Sequence, residues 1–120
     1  MYRRILVPLD GSELAEKILP HASAVAKAIG AEVTLVTIVK HTLAGPGKVY
    51  LETLPEVVAE RKAAVNAEAK IYLEKIQREL MEQDIAARCD TLEGDAAAAI
   101  IGYAEEMGID LIAMATHGRS

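Results

Sequence analysis

Two short stretches hold the residues from which chemistry could be built. Val7-Pro8-Leu9-Asp10-Gly11-Ser12 ends one aliphatic run, and Met114-Ala115-Thr116-His117-Gly118-Arg119-Ser120 ends another. The first sets a carboxylate and a hydroxyl around a glycine turn. The second joins an imidazole and a guanidinium to a glycine, whose bare backbone lets an anion come close. Asp10 has two readings on its own surroundings: a capping side chain that accepts from N–H groups near Ser12 or Glu13, or a ligand contact. Ser12 reads as a cap or first-turn residue, because no histidine stands near it in sequence to make it a nucleophile. His117 is by default an exposed loop side chain, and Arg119 carries the planar fork that suits a phosphate. Other chemistries find no residues. There is neither a G-x-x-x-x-G-K-[ST] phosphate loop nor a G-x-G-x-x-G fingerprint in the chain. His21, His41 and His117 are too widely spaced for a compact metal set, and the single cysteine, Cys89, makes no zinc pattern. Cys89 lies in a strand-like run and reads as a small buried hydrophobe.

The elements that must position these stretches follow from hydrophobic periodicity. Residues 3–8 predict a strand and residues 13–29 a helix closed by Gly30, with Pro20 inside it forcing a kink or a broken start. Residues 32–39 are almost continuously β-branched, which predicts a central strand covered on both faces. Gly45-Pro46-Gly47 marks residues 41–53 as a loop, and a helical pattern runs from Pro55 to about residue 83. Residues 85–92 form a weaker strand signal. Gly94-Asp95 then opens an alanine-rich helix to Met107, stopped by Gly108, in which the run 96–99 predicts close packing on the sheet. Residues 111–115 predict the last strand. The order β-α-β-α-β-α-β, with apolar strands, predicts an α/β fold: a doubly wound parallel sheet with helices on both faces. In such sheets ligands bind beyond the carboxyl ends of the strands, where the winding direction reverses. A helix over residues 55–84 would be about 45 Å long, whereas a strand of five or six residues spans about 17 to 20 Å. Either its early turns, around 57–64, overhang that edge, or a break divides it into two helices.

Composition bounds what such a site can serve. The chain has 120 residues, 52% of them apolar and 26% charged, which is the size and make-up of one domain with a conventional core. Thirteen basic against eighteen acidic residues leave a net charge of −5, and there is no Trp or Phe for stacking bases, so nucleic acid is not expected as a partner. No apolar run approaches the length of a membrane span, and no signal peptide opens the chain. Together with the lone cysteine this predicts a cytoplasmic protein with no membrane partner.

With its Pro-x-Asp-Gly-Ser turn, its central Leu35-Val36-Thr37-Ile38-Val39, its Glu93-Gly94-Asp95 helix start and its closing His117-Gly118-Arg119, the whole chain resembles the universal stress protein family, and within it the ATP-binding type. The resemblance implies a Rossmann-like sheet, a part in stress response, pairing as dimers, and ATP held at the carboxyl edge. It places Asp10 beside the ribose and phosphates, Pro8 and Leu9 along the base pocket, and the backbone of Ile38 at the adenine edge. Met114, Ala115, His117, Gly118 and Arg119 then belong to the first half of the phosphate loop, where Ala115 stands in place of the family's first glycine and Gly118 keeps the second. Mg²⁺ or Mn²⁺ would be held mainly through the phosphates, with no metal ligands from the protein. No residue supplies a general base together with a transition-state cation, so at most slow ATP hydrolysis is expected and no catalytic residue is assigned.

One departure from the pattern is large. The family's spacer, its final Gly-Ser, the last helix and the fifth strand are not found before Ser120, which predicts a single domain over 1–120 that is incomplete at its carboxyl end, with weakened nucleotide affinity. The last strand would then have an open apolar edge, which predicts self-association into a homo-oligomer. The alternative function is a stress-related protein-interaction or dimerisation module that binds no nucleotide.

Overall fold

The computed structural model describes residues 3–39 and 55–115. The chain runs β1 (Arg4–Pro8), α1 (Glu13–Glu16), α2 (Leu19–Ile29), β2 (Glu32–Val39), α3 (Pro55–Glu82), β3 (Ala87–Glu93), α4 (Ala96–Met107) and β4 (Leu111–Ile112). All strands are parallel, in the order β3-β2-β1-β4. The fold is thus the expected α/β sheet, with four strands among the described residues. From β1 the chain steps outward to β2 and β3 and then returns, through α4, to the other side of β1. The winding direction therefore reverses between β1 and β4, so their carboxyl ends border a crevice.

Strand alternation divides the core. On one face Ile5, Val7, Val33, Leu35 and Ala87 meet Ala22 and Ala26 of α2 and Leu73, Ile76 and Leu80 of α3. On the other, Leu6 and Val36 pack with Ile100, and Ile38, Leu92, Tyr103 and Ala104 close around them. β2 is central, and six of its eight residues are buried, as its β-branched run requires.

Pro20 breaks the first helix rather than bending it. α1 stops at Glu16, and Pro20 enters the first turn of α2, where its missing N–H costs no helical hydrogen bond. Gly30 and Gly108 end their helices in the left-handed conformation, at φ 69° and 67°. α3 is a single helix of 28 residues, about 42 Å long. Its buried residues, Leu73, Ile76 and Leu80, lie in its second half, while Glu60, Ala63 and Ala64 are exposed. The break that is the alternative to an overhang is absent. The loop expected over 41–53 lies outside the described residues.

Three expectations are corrected. β4 covers only Leu111–Ile112 instead of 111–115, and both residues are exposed. Leu9 donates its N–H to the Val36 carbonyl at 2.8 Å, so position 8, one residue earlier, turns to the β4 side. The next bond of that ladder would run from the N–H of residue 8 to the carbonyl of Ala113, and proline has no N–H to give. The second correction concerns the alanine run. Ala96, Ala97 and Ala98 are exposed, and α4 seats itself on the sheet through Ile100, Tyr103 and Ala104 instead. The start of α4 stands over open space. β3 also begins two residues later than its pattern predicts, although Ile85 is buried just before it.

Candidate functional site

Because the β1–β4 ladder stops short of Pro8, Met114 and Ala115 leave the sheet without strand pairing while lining the same opening as the end of β1. The gap this opens is a cleft of about 270 Å³ lined by Pro8, Leu9, Asp10, Ala15, Ile38, Ala96, Ile100, Met114 and Ala115. The residues singled out from sequence as Pro8, Leu9, Asp10, Ile38, Met114 and Ala115 are brought together there. His117, Gly118 and Arg119 lie outside the described residues. Periodicity missed Ala15, Ala96 and Ile100, although the Gly94-Asp95 start was a usable signal, since it sets the first turn of α4 at the same edge of the sheet.

The lining is mostly aliphatic, with one carboxylate at its rim. Such a cleft can take a flat, weakly polar group and orient it by a few polar contacts. Asp10 is exposed, and its carboxylate accepts from the Ser12 N–H at 2.9 Å and from the Ser12 hydroxyl at 2.5 Å. Ser12 is the true cap of α1: its Oγ accepts from the Ala15 N–H at 3.1 Å. Asp10 thus fixes the turn through Ser12, and its exposed position leaves it facing the cleft. Gly11, between them, sits at φ 86°, a conformation that favours glycine.

A second cleft, of about 280 Å³, lies on the α3 side of the same turn and shares Asp10 and Ile38 with the first. Gly11, Thr37, Val65, Glu68 and Tyr72 are among its walls. The Tyr72 hydroxyl donates to a Glu16 carboxylate oxygen at 2.6 Å. Burial, then the Glu16 carboxylate, hold this phenol far above the ordinary tyrosine value, so it remains a donor. The acidic residues on this side, Glu16 and Glu68 with Asp10, make it a poor seat for a phosphate. Among the described residues no three His, Cys, Asp or Glu side chains cluster to hold a metal ion, and no helix is long and apolar enough to cross a membrane.

Comparison with known proteins gives a consistent picture. The model of the universal stress protein family matches residues 1–120. Universal stress protein MJ0531 of Methanocaldococcus jannaschii is 29% identical over 122 residues, covering 100% of this chain and 68% of its own length. Universal stress protein YxiE of Bacillus subtilis is 30% identical over 125 residues, covering 100% and 82%. Among solved structures, a universal stress family protein from Burkholderia pseudomallei superposes with a TM-score of 0.77 at 30% identity, over 97% of this chain and 83% of that one. More distant chains share the fold. A universal stress protein in complex with cAMP has a TM-score of 0.55 at 18% identity, over 92% of this chain and 70% of its own. One from Arabidopsis thaliana with AMP bound has a TM-score of 0.57 at 10% identity, over 92% and 76%.

Proposed function

The chain belongs to the universal stress protein family, and from that premise we propose that it is a stress-response module which binds an adenine nucleotide, ATP above all, in the cleft beyond β1 and β4. The observation that carries this reading is the convergence of Pro8, Leu9, Asp10, Ile38, Met114 and Ala115 on one opening at the reversal of the sheet. The aliphatic lining suits the two faces of a purine, and Asp10 at the rim suits a ribose hydroxyl, which would donate to its carboxylate. The phosphates then leave on the side of Ala115, away from Glu16 and Glu68. Support also comes from the two chains of this fold solved with AMP and cAMP. Mg²⁺ or Mn²⁺ would arrive on the phosphates, adding charge neutralisation there, and the residues of this chain would bind and orient the base and sugar. Slow hydrolysis is the most that this arrangement supports.

The same reading places the protein in the cytoplasm, where the unpaired Cys89 would stay reduced, and gives it a copy of itself as partner. Leu111, Ile112 and Met114 are exposed on or next to β4, with fractional exposures from 38% to 47%. This favours assembly as a dimer or larger homo-oligomer.

The test is direct. Protein purified without added nucleotide is denatured, the released small molecules are separated, and the folded protein is titrated with Mg-ATP in a calorimeter. Released adenine nucleotide or saturable heat supports the reading. Neither, here and in a chain extended to the length of its relatives, would leave the interaction-module alternative standing.

A further inference from the structure

Locally, the turn that carries Asp10 is held by the bonds between Asp10 and Ser12. α1, which follows it, is only four residues long, far below the length at which a helix sustains itself, and Gly11 adds the freest backbone available. Yet the turn is tied from a distance. Tyr72, on the long helix α3, stands 56 residues from Glu16 in sequence and donates to its carboxylate at 2.6 Å, and it shares the wall of the second cleft with Asp10 and Gly11. One phenol therefore fastens the helix that follows the turn to an element whose second half is buried in the core. On the other side of the turn the Asp10 carboxylate closes onto Ser12. The first cleft and Tyr72 do not touch. They are linked through Asp10 and Ile38, which line both openings, and of these two Asp10 is the one the turn carries.

We propose that Tyr72 is a positioning residue for the nucleotide cleft: its hydroxyl, bonded to Glu16, fixes the turn so that Asp10 is presented at one orientation to the sugar of the bound nucleotide. The role of Asp10 at the sugar rests on the functional reading above, whereas the tethering of the turn does not. Tyr72 acts through Asp10 and need not contact the ligand. A rigid turn meets the ligand without an ordering cost, and a loosened one must be ordered at each binding event.

The variant Tyr72→Phe keeps the ring and removes only the hydroxyl. Tyr103→Phe is its control: it removes a hydroxyl from the Leu6–Val36–Ile100 side of the sheet and leaves the Asp10 turn alone. Amide exchange at Gly11 and Ser12, followed by NMR, reads the turn directly. Calorimetry with Mg-ATP reads its consequence. In Tyr72→Phe the exchange is expected to accelerate and the affinity to fall roughly tenfold, the size of one lost hydrogen bond, with both unchanged in Tyr103→Phe. Unchanged exchange in Tyr72→Phe would overturn the tether. Faster exchange with unchanged affinity would overturn the positioning role. If the unaltered protein takes up no nucleotide at all, the functional reading fails by itself, and the exchange rates still decide whether Tyr72 holds the turn.

Discussion

Ala113 donates its backbone N–H to the Leu6 carbonyl at 2.9 Å, and this is the last rung by which β4 is held to β1. Register carries it: Ile5 lies opposite Leu111 and Leu6 opposite Ile112. The following rung needs an N–H at position 8, which Pro8 lacks. The end of pairing and the start of the cleft are therefore one event, caused by one residue type at one position.

Replacing Pro8 by alanine supplies the missing donor. The expected result is a longer β4, with slower amide exchange at Ala115, whose N–H can then reach the carbonyl of residue 8. Stability should change by no more than about 1 kcal/mol, because the new hydrogen bond is offset by the extra freedom of the unfolded chain. Mg-ATP affinity should fall as the two walls draw together. Exchange at Ala115 as fast as before would show that something other than Pro8 ends the ladder.

Asp10→Asn separates the two roles of that side chain. An amide oxygen still accepts from the Ser12 N–H, so the turn should persist and urea denaturation should move by less than about 1 kcal/mol. What is lost is the charged acceptor at the rim. Affinity for Mg-ATP is expected to drop by about tenfold, the difference between a charge-assisted and a neutral hydrogen bond. An unchanged dissociation constant would confine Asp10 to capping.

Two of the tyrosines should titrate late. Burial and nearby carboxylates hold Tyr72 and Tyr103 above the ordinary value of 10.0, the causes being Glu16 for the first and Asp90 for the second. The folded state thus favours the neutral phenols. Their contribution to stability is whole below pH 10 and is lost as pH climbs from there toward the folded-state values. Tyrosinate absorbance should show two groups ionising well after free tyrosine, and stability should fall from pH 10 upward. In Tyr72→Phe that fall should be shallower. Four phenols rising together near pH 10 in the folded protein would contradict this.

What could be read before the fold was known follows from how local each signal is. β2 matched residue for residue because its β-branched run is bounded by Gly30 and by the end of its own apolar pattern, and Pro20 marked the break between α1 and α2 through its missing donor. β4 did not match, because Leu111 to Ala115 reads as one apolar run while its length is decided by Pro8, more than a hundred residues earlier, in a strand whose adjacency nothing local encodes. Pro8, Asp10 and Ala115 stood out by residue type beside a glycine turn or a strand end. Ala96, Ile100 and Tyr72 did not, since a helical alanine, isoleucine or tyrosine at core spacing looks the same whether it borders a cleft or fills an interior.

Asp95 caps α4, its carboxylate accepting from the Ala98 N–H at 3.0 Å. Asp95→Ala should cost about 1 kcal/mol in urea denaturation, and Asp95→Asn only a fraction of that. The loss should also loosen the first turn of α4, where Ala96 lines the cleft. Equal stability for the alanine and asparagine variants would mean that the cap adds nothing.

The two edges of the sheet are protected unequally, and this decides where copies should meet. Along β3 the Ala87 carbonyl is taken by Gln77 Nε2 at 2.8 Å and the Thr91 N–H by its neighbour Asp90 at 2.9 Å, so an incoming strand would have to displace side chains already bonded. Along β4 the outward surface is apolar, with Leu111 45% and Met114 47% exposed, and no charge lies within the strand to repel a partner. Self-association is therefore expected through β4. Leu111→Lys places a desolvation cost at that edge and should shift light scattering at high protein concentration toward the monomer, whereas Thr91→Lys, on the blunted edge, should leave the oligomer unchanged. A monomer in the unaltered protein at every concentration would remove the homo-oligomer from the proposal, and dissociation by Thr91→Lys alone would move the interface to β3.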